Sequence, residues 1–336
     1  MVGAAWVGDA ILSQPLLALL RRHAGAGRLD VLAPRWTHGV LQRMPEVDQI
    51  IDLPFAHGEL NLRARWRLGR SLRSAAYDQA LVLPNSLKSA LIPWFAGIPR
   101  RTGYIGEQRR GLLNDARRLD RESHPLMVQR FLALGDPENP MSAAPPQPRL
   151  RVNTEHQARL LESLGLNRER PIAIFCPGAE YGPAKRWPVA HFAAVGRRWI
   201  EDGWQIWVMG SARDRDVGAS LIDQLGPSFR HLLCGATGLE DAVDLMALGQ
   251  RVVTNDSGLM HMAAALDRPT VAIFGSSSPQ FTPPLSAAAH VVRLDLPCSP
   301  CFERTCPLGH LRCLTELTPE VVMAHFSTRL HEPAGS

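Results

Sequence analysis

The chain has 336 residues, 45% of them hydrophobic, 21% charged and 6% aromatic, which excludes a disordered or fibrous protein and gives enough length for two cored domains. No run approaches the ~18 apolar residues of a membrane span, and no basic segment followed by an apolar run and cleavage site opens the chain, so a cytosolic protein is expected. The formal charge of +5 is uneven: residues 1 to 150 carry 20 Lys/Arg against 13 Asp/Glu, the remainder 17 against 19. A basic first half suits an anionic partner, whether phosphate-bearing glycolipid, membrane surface or nucleic acid. Of the 37 basic residues only Lys88 and Lys185 are lysines, retained for their compact ammonium or by chance.

In chain order, Val2 and Gly3 directly precede a loop, so the first strand is expected to be clipped. The segment Gly3 to Leu16 then reads as strand end, loop and apolar helix, with Asp9 near the helix start. Ligands of open α/β sheets bind at the carboxyl ends of strands, and a helix cap is the plainer reading of Asp9. Apolar runs at Leu29 to Leu32 and Gln79 to Leu83 read as strands. Between them Arg63, Arg65, Arg67, Arg70 and Arg73 surround Trp66; Arg63, Arg67 and Arg70 share one helical face, which fits an anionic acceptor, a membrane surface or a merely solvated helix. Asp136 to Leu150 holds five prolines and reads as an extended linker. The expected division is a first domain at 1–140, a linker at 141–150, a second domain at 151–316, and a C-terminal helix at 317–331 that starts at Thr318-Pro319-Glu320 and packs back on the first domain.

The second half repeats the strand and helix rhythm at Ile172 to Cys176, Gln205 to Met209, Arg251 to Thr254 and Thr270 to Phe274, a pattern of parallel βαβ units. Three strand ends carry chemistry. Pro177 to Pro188 is a Gly- and Pro-rich loop holding Lys185, either a counter-charge for a diphosphate or a solvated lysine. Met209 to Asp214 ends in a carboxylate suited to ribose hydroxyls or to capping. Thr254-Asn255-Asp256-Ser257-Gly258-Leu259-Met260-His261 passes from strand to helix, where free amides of Ser257, Gly258 and Leu259 and the positive helix end suit a diphosphate; capping, with His261 a core histidine, is the alternative. Cys298, Cys301, Cys306 and Cys313 suit a structural zinc, although only one Cys-x-x-Cys is present and free thiols are the alternative; Cys176 and Cys234 read as core.

Four ordered motifs, Trp6-Val7-Gly8-Asp9, Pro84-Asn85-Ser86-Leu87-Lys88-Ser89-Ala90, Lys185-Arg186-Trp187-Pro188 and Asp256 to His261, resemble glycosyltransferase family 9. The similarity runs from about residue 3 to about residue 330. It implies an α/β fold of GT-B type, two Rossmann-like domains with parallel sheets facing across a cleft, the first for acceptor and the second for an ADP-sugar. It further implies an inverting reaction with no required metal or cofactor, ADP-L-glycero-D-manno-heptose as donor, and the first heptose of the lipopolysaccharide inner core as acceptor, with Kdo or outer core as alternative acceptors. By the same resemblance Asp9 is the general base. Lys185, Asp256, Ser257, Gly258, Leu259 and His261 hold ADP, Asp214 lies on its ribose or adenine side, and Trp6, Asn85 and Lys88 meet the acceptor. The partners so implied are ADP-heptose, an anionic glycolipid and the cytosolic face of the inner membrane, with no nucleic acid. A Rossmann oxidoreductase or epimerase would carry Gly-x-Gly-x-x-Gly, which neither half contains. A non-enzymatic nucleotide binder would need no carboxylate at position 9.

Overall fold

Eleven strands and the segment Met1–Gly3 build two parallel sheets in a computed structural model that describes residues 1–56, 58–136 and 145–327. The chain divides into two units, Met1–Pro148 and Arg149–Ser336. Residues 141–144 of the expected linker and 328–331 of the expected C-terminal helix lie outside the described residues.

In the first unit the strands are β1 (Asp30–Ala33), β2 (Gln49–Asp52), β3 (Gln79–Val82), β4 (Arg100–Tyr104) and β5 (Asp115–Arg117). β1 pairs parallel with β2, and β3, β4 and β5 form a second parallel ladder. Met1–Gly3 joins the two ladders. Val2 bridges Leu32 on one side and Val82 on the other; its amide donates to the Leu81 carbonyl at 2.7 Å, and that of Gly3 to the Leu32 carbonyl at 2.9 Å. The order is therefore β2, β1, Met1–Gly3, β3, β4, β5, with Val2 packed in the core beside Leu32, Val82 and Ile92. From this middle position the chain first builds one side of the sheet and later returns to build the other. A topological switch point thus falls between Met1–Gly3 and β3, and the loops leaving those two segments diverge there.

The second unit holds β6 (Ile172–Cys176), β7 (Gln205–Val208), β8 (Arg230–Leu232), β9 (Arg251–Asn255), β10 (Thr270–Ile273) and β11 (Ala289–Val292), all parallel, in the order β11, β10, β9, β6, β7, β8. Helices cover both faces of such sheets, so β6, β7 and β10 are buried at every residue and read as unbroken apolar runs rather than as alternation. Here the switch point lies between β6 and β9. The core packs Phe175, Phe192, Trp187 and Trp199 together, and Val322 and Phe326 of the helix Pro319–Ser327 join it; Phe326 stands edge-on to Trp199 at 5.2 Å. Over its described part, the helix expected to return to the first domain is thus built into the second unit. Among the described residues no helix is long and apolar enough to cross a membrane.

Candidate active site

The two loops that diverge at the second switch point are the Lys185 loop after β6 and the Asp256 loop after β9, and Asn255 ties them together. Its side-chain oxygen accepts from the Trp187 amide (3.0 Å), and its side-chain nitrogen donates to the Pro177 carbonyl (2.8 Å). Trp187 is itself an anchor: it is fully buried, and its indole donates to the Leu317 carbonyl at 2.8 Å. Held at both ends, the loop brings Lys185 Nζ to 2.5 Å from Asp256 Oδ2, which also accepts from the Ser277 hydroxyl. The ammonium lies 5.0 Å from the Tyr181 ring centre.

Directly after this pair the helix Gly258–Ala265 begins, and the side-chain cap of the alternative reading is not made. Ser257 makes no side-chain capping bond, its buried hydroxyl has no hydrogen-bond partner, and the amides of Ser257, Gly258 and Leu259 donate to no acceptor among the described residues. Three donors and a positive helix end beside an ammonium make an anion-binding concavity. His261, one turn in, is buried with Nδ1 unpaired; burial pushes its pKa down to about 4, against the partial pull of Asp256, so the ring is neutral near pH 7.

Asp214, at the end of β7, does what a cap does. Its Oδ2 accepts from the Ser211 amide (2.9 Å) and hydroxyl (2.7 Å). Its carboxyl lies against Gly178, where any Cβ would stand 2.2 Å from Asp214 Cγ, so only glycine admits this approach of the Lys185 loop to β7.

The four cysteines offered either as a structural zinc site or as free thiols are not at ligand spacing. Among the described residues no three of the four sulfurs lie within 4.8 Å of one another; the group meeting that spacing is His156, Glu240 and Asp241, where the His156 ring already meets the carboxylates of Asp244 (2.8 Å) and Asp241 (3.3 Å). Cys313 is drawn into the core beside Leu314, while the other three stay on the loop. That loop instead braces the lysine loop. The Arg304 carbonyl accepts from the Ala184 amide (3.1 Å) and the Phe302 carbonyl from the Tyr181 hydroxyl (2.5 Å), while the Ser299 hydroxyl donates to the Gly275 carbonyl (2.8 Å). Amides of Leu311, Leu308, Gly309 and His310 converge on Cys306 and hold its thiol below the usual range, whereas burial raises Cys176 and Cys234. Iodoacetamide followed by peptide mapping is therefore expected to modify Cys306 first and Cys176 and Cys234 last, and a chelator to leave Tm unchanged.

At the first switch point, the loop after Met1–Gly3 leads into the helix Val7–Leu12, with Asp9 in its first turn and Trp6, half exposed, at its cap position. Asp9 is not the cap. Its carboxylate has no hydrogen bond or ion pair among the described residues, and burial alone raises its pKa from 3.8 to about 6. The other diverging loop follows β3 and carries Asn85, exposed, and Lys88, half buried at the start of the helix Leu87–Phe95.

Beneath that loop sits a residue the sequence did not single out. Arg109 is fully buried, with no carboxylate ion-paired to it among the described residues, and its guanidinium donates to the carbonyls of Tyr104, Pro84 and Ser86, to Ser89 Oγ and to Asn85 Oδ1. One planar fork thus sets the shape of the Pro84–Ser89 turn. Arg109→Met is expected to cost about 2–4 kcal/mol in urea unfolding, because five acceptors each lose a donor, of which the Pro84 and Ser86 carbonyls keep a bond from Ser89, and Arg109→Lys to recover only part of it. Arg65, grouped above with the acceptor or membrane arginines, is likewise structural: it is buried over the Phe55 ring (4.0 Å) and donates to the carbonyls of Leu60, Glu59 and Lys88.

A first Rossmann-like unit with a desolvated carboxylate at its switch point, and a second with a lysine and open amides at its own, have the makings of a two-domain transferase of GT-B type acting on a nucleotide-sugar. Residues 65–312 match glycosyltransferase family 9 (heptosyltransferase), and the chain belongs to that family. It is 46% identical to lipopolysaccharide heptosyltransferase 2 of Salmonella typhimurium over 99% of this chain and 98% of that one, and 44% identical to lipopolysaccharide heptosyltransferase 2 of Escherichia coli K12 over 98% and 97%. The solved structure of E. coli ADP-heptose lps heptosyltransferase II superposes with a TM-score of 0.86 at 42% identity, covering 97% of this chain and 96% of that one.

Proposed function

We propose that this glycosyltransferase moves L-glycero-D-manno-heptose from ADP-heptose to the first heptose of the lipopolysaccharide inner core, with inversion and without a metal ion, at the cytosolic face of the inner membrane. The observation that carries the reading is similarity at 44–46% identity over nearly the whole chain to proteins named heptosyltransferase 2. The chemistry assigns work to both switch points. Asp9 takes the proton from the acceptor hydroxyl as its oxygen attacks the anomeric carbon from the face opposite the ADP. The bond from the anomeric carbon to the β-phosphate oxygen breaks, and the electron pair leaves with ADP. Lys185 and the amides of Ser257, Gly258 and Leu259 stabilise that growing charge, with Asp256 and Ser277 positioning the ammonium. Neutral His261 lines the same turn, Asp214 stands toward the nucleoside, and Trp6, Asn85 and Lys88 orient the acceptor.

The test is transfer from ADP-heptose to heptose-deficient core lipopolysaccharide in EDTA, with acceptors ending in Kdo compared with acceptors ending in one heptose. Transfer only to the heptose-ended acceptor supports the proposal in full. Transfer only to Kdo moves the acceptor assignment, loss of transfer in EDTA removes metal independence, and transfer to neither acceptor removes the function.

A further inference from the structure

The helix Leu62–Ser71 carries basic residues and no acidic one, and its two long faces differ. The inner face holds Arg65 and Gly69. Gly69 lies so close to the helix Leu87–Phe95 that a Cβ there would stand 2.5 Å from that of Phe95, which fixes the inner face against the protein. The outer face presents Leu62, Arg63, Trp66, Arg67 and Arg70, all exposed, with Leu62 at 51% and Trp66 at 46%. Arg63, Arg67 and Arg70 form no ion pair among the described residues, and the Arg70 guanidinium lies over the Trp66 ring at 5.5 Å. Just beyond the helix, Arg73 donates to the Phe95 carbonyl (3.0 Å), beside a second exposed tryptophan, Trp94.

This stripe is unfavourable in water. Arg63 and Arg67, four apart, and Arg67 and Arg70, three apart, repel across one face; Arg63 also sits in the first turn, at the positive end of the helix dipole. Two exposed tryptophans and a leucine add apolar area that solvent does not reward. All three costs reverse against one kind of surface: a bilayer bearing anionic headgroups, where arginines meet lipid phosphates and indoles settle at the depth between headgroup and acyl chain. We infer that the outer face of this helix, through Leu62, Arg63, Trp66, Arg67 and Arg70, docks the protein on an anionic phospholipid bilayer. The inference rests on the proposed glycolipid acceptor, whose membrane-bound form such docking would keep within reach.

The full chain is to be floated with vesicles of phosphatidylcholine alone, and of phosphatidylcholine with one-third phosphatidylglycerol, at low and high salt. Binding to the anionic vesicles is expected to weaken as salt rises. Arg63→Gln/Arg67→Gln/Arg70→Gln is expected to lower the partition coefficient roughly a hundredfold, about fivefold per arginine, with Tm unchanged. Trp66→Ala is expected to weaken binding at both salt concentrations. The control Arg110→Gln/Arg118→Gln/Arg121→Gln makes the same charge change elsewhere on the unit and is expected to retain most of the binding. Equal loss in the control, or undiminished binding of the Arg63/Arg67/Arg70 variant, overturns the inference. So does a fall in that variant's transfer to delipidated core oligosaccharide without a change in vesicle binding, which would make the face an acceptor site. Wild-type protein that binds vesicles through this face yet transfers heptose to neither free nor vesicle-borne acceptor would instead sink the proposed function and leave the docking face standing.

Discussion

Asp9→Asn is expected to lower kcat by roughly 10²–10⁴-fold while leaving ADP affinity within about twofold, because a general base acts on the transition state and not on nucleotide binding. Asn keeps the shape and removes the proton acceptor. The same residue sets the acid limb of the pH profile: with a pKa near 6 the carboxylate is the active form, so kcat/KM is expected to fall as pH drops below about 6. The linkage to stability has the opposite sense. The folded state binds this proton more tightly than the unfolded chain does, so the contribution of Asp9 is fully present below about pH 4 and is lost as pH rises through about 6. At pH 7 the desolvated charge costs about 2–3 kcal/mol. Asp9→Asn should therefore be more stable than wild type at pH 7 by up to that amount, with the gain fading toward pH 4. An inactive yet stabilised variant is hard to obtain from a structural residue; retained turnover, or lost ADP binding, would sink the role.

Lys185→Ala is expected to reduce turnover roughly 10²–10³-fold and to weaken ADP binding, the reverse of the Asp9 pattern in the second respect. The variant leaves Asp256, only 7% exposed, with Ser277 as its remaining side-chain partner. Because Lys185 itself is partly open, the stability loss should be about 1–3 kcal/mol, below that of a fully buried pair. Lys185→Met/Asp256→Asn should regain most of the stability and none of the activity, which separates the two roles of the pair. Lys185→Arg should stay defective, since a planar fork does not reproduce a point contact at 2.5 Å beside the Tyr181 ring. Isothermal titration with ADP and denaturant unfolding measure these effects, and ADP affinity unchanged in Lys185→Ala would remove the lysine from the donor site.

Much of this was legible beforehand, and the legible parts share a physical cause. Strands buried on both faces carry a continuous apolar stretch, so β6, β7, β9 and β10 stood out as runs. The strands that sequence reading missed are partly exposed or polar: β2 is Gln49–Asp52, β5 is Asp115–Arg117, β8 is Arg230–Leu232, β11 is Ala289–Val292, and β4 opens with Arg100 and Arg101. Their hydrogen-bonding partners come from distant chain positions, which a local pattern does not encode.

The functional residues divide the same way. Asp9, Lys185 and Asp256 were visible because each stands in a loop, or in the helix turn directly after one, that follows an apolar strand end. Arg109 and Ser277 were not, because their meaning lies in acceptors 20 or more residues away. Helical spacing set Arg65 off the face shared by Arg63, Arg67 and Arg70, but it did not show that Arg65 is a buried strut while the others face solvent.

By itself, then, the sequence determined the alternation of strands and helices and the loops that carry charge, since composition and short-range spacing suffice for these, while the resemblance of four ordered motifs pointed to the family. The tertiary structure alone decided that Asp256 holds a lysine, that Asp214 caps its own turn, that the loop bearing Cys298, Cys301 and Cys306 braces the lysine loop, and which arginines face solvent. The first of these depends on strand order. Placing β9 next to β6 brings Asp256 to Lys185 across 71 positions of chain, and no property of either residue's neighbours in sequence specifies that meeting.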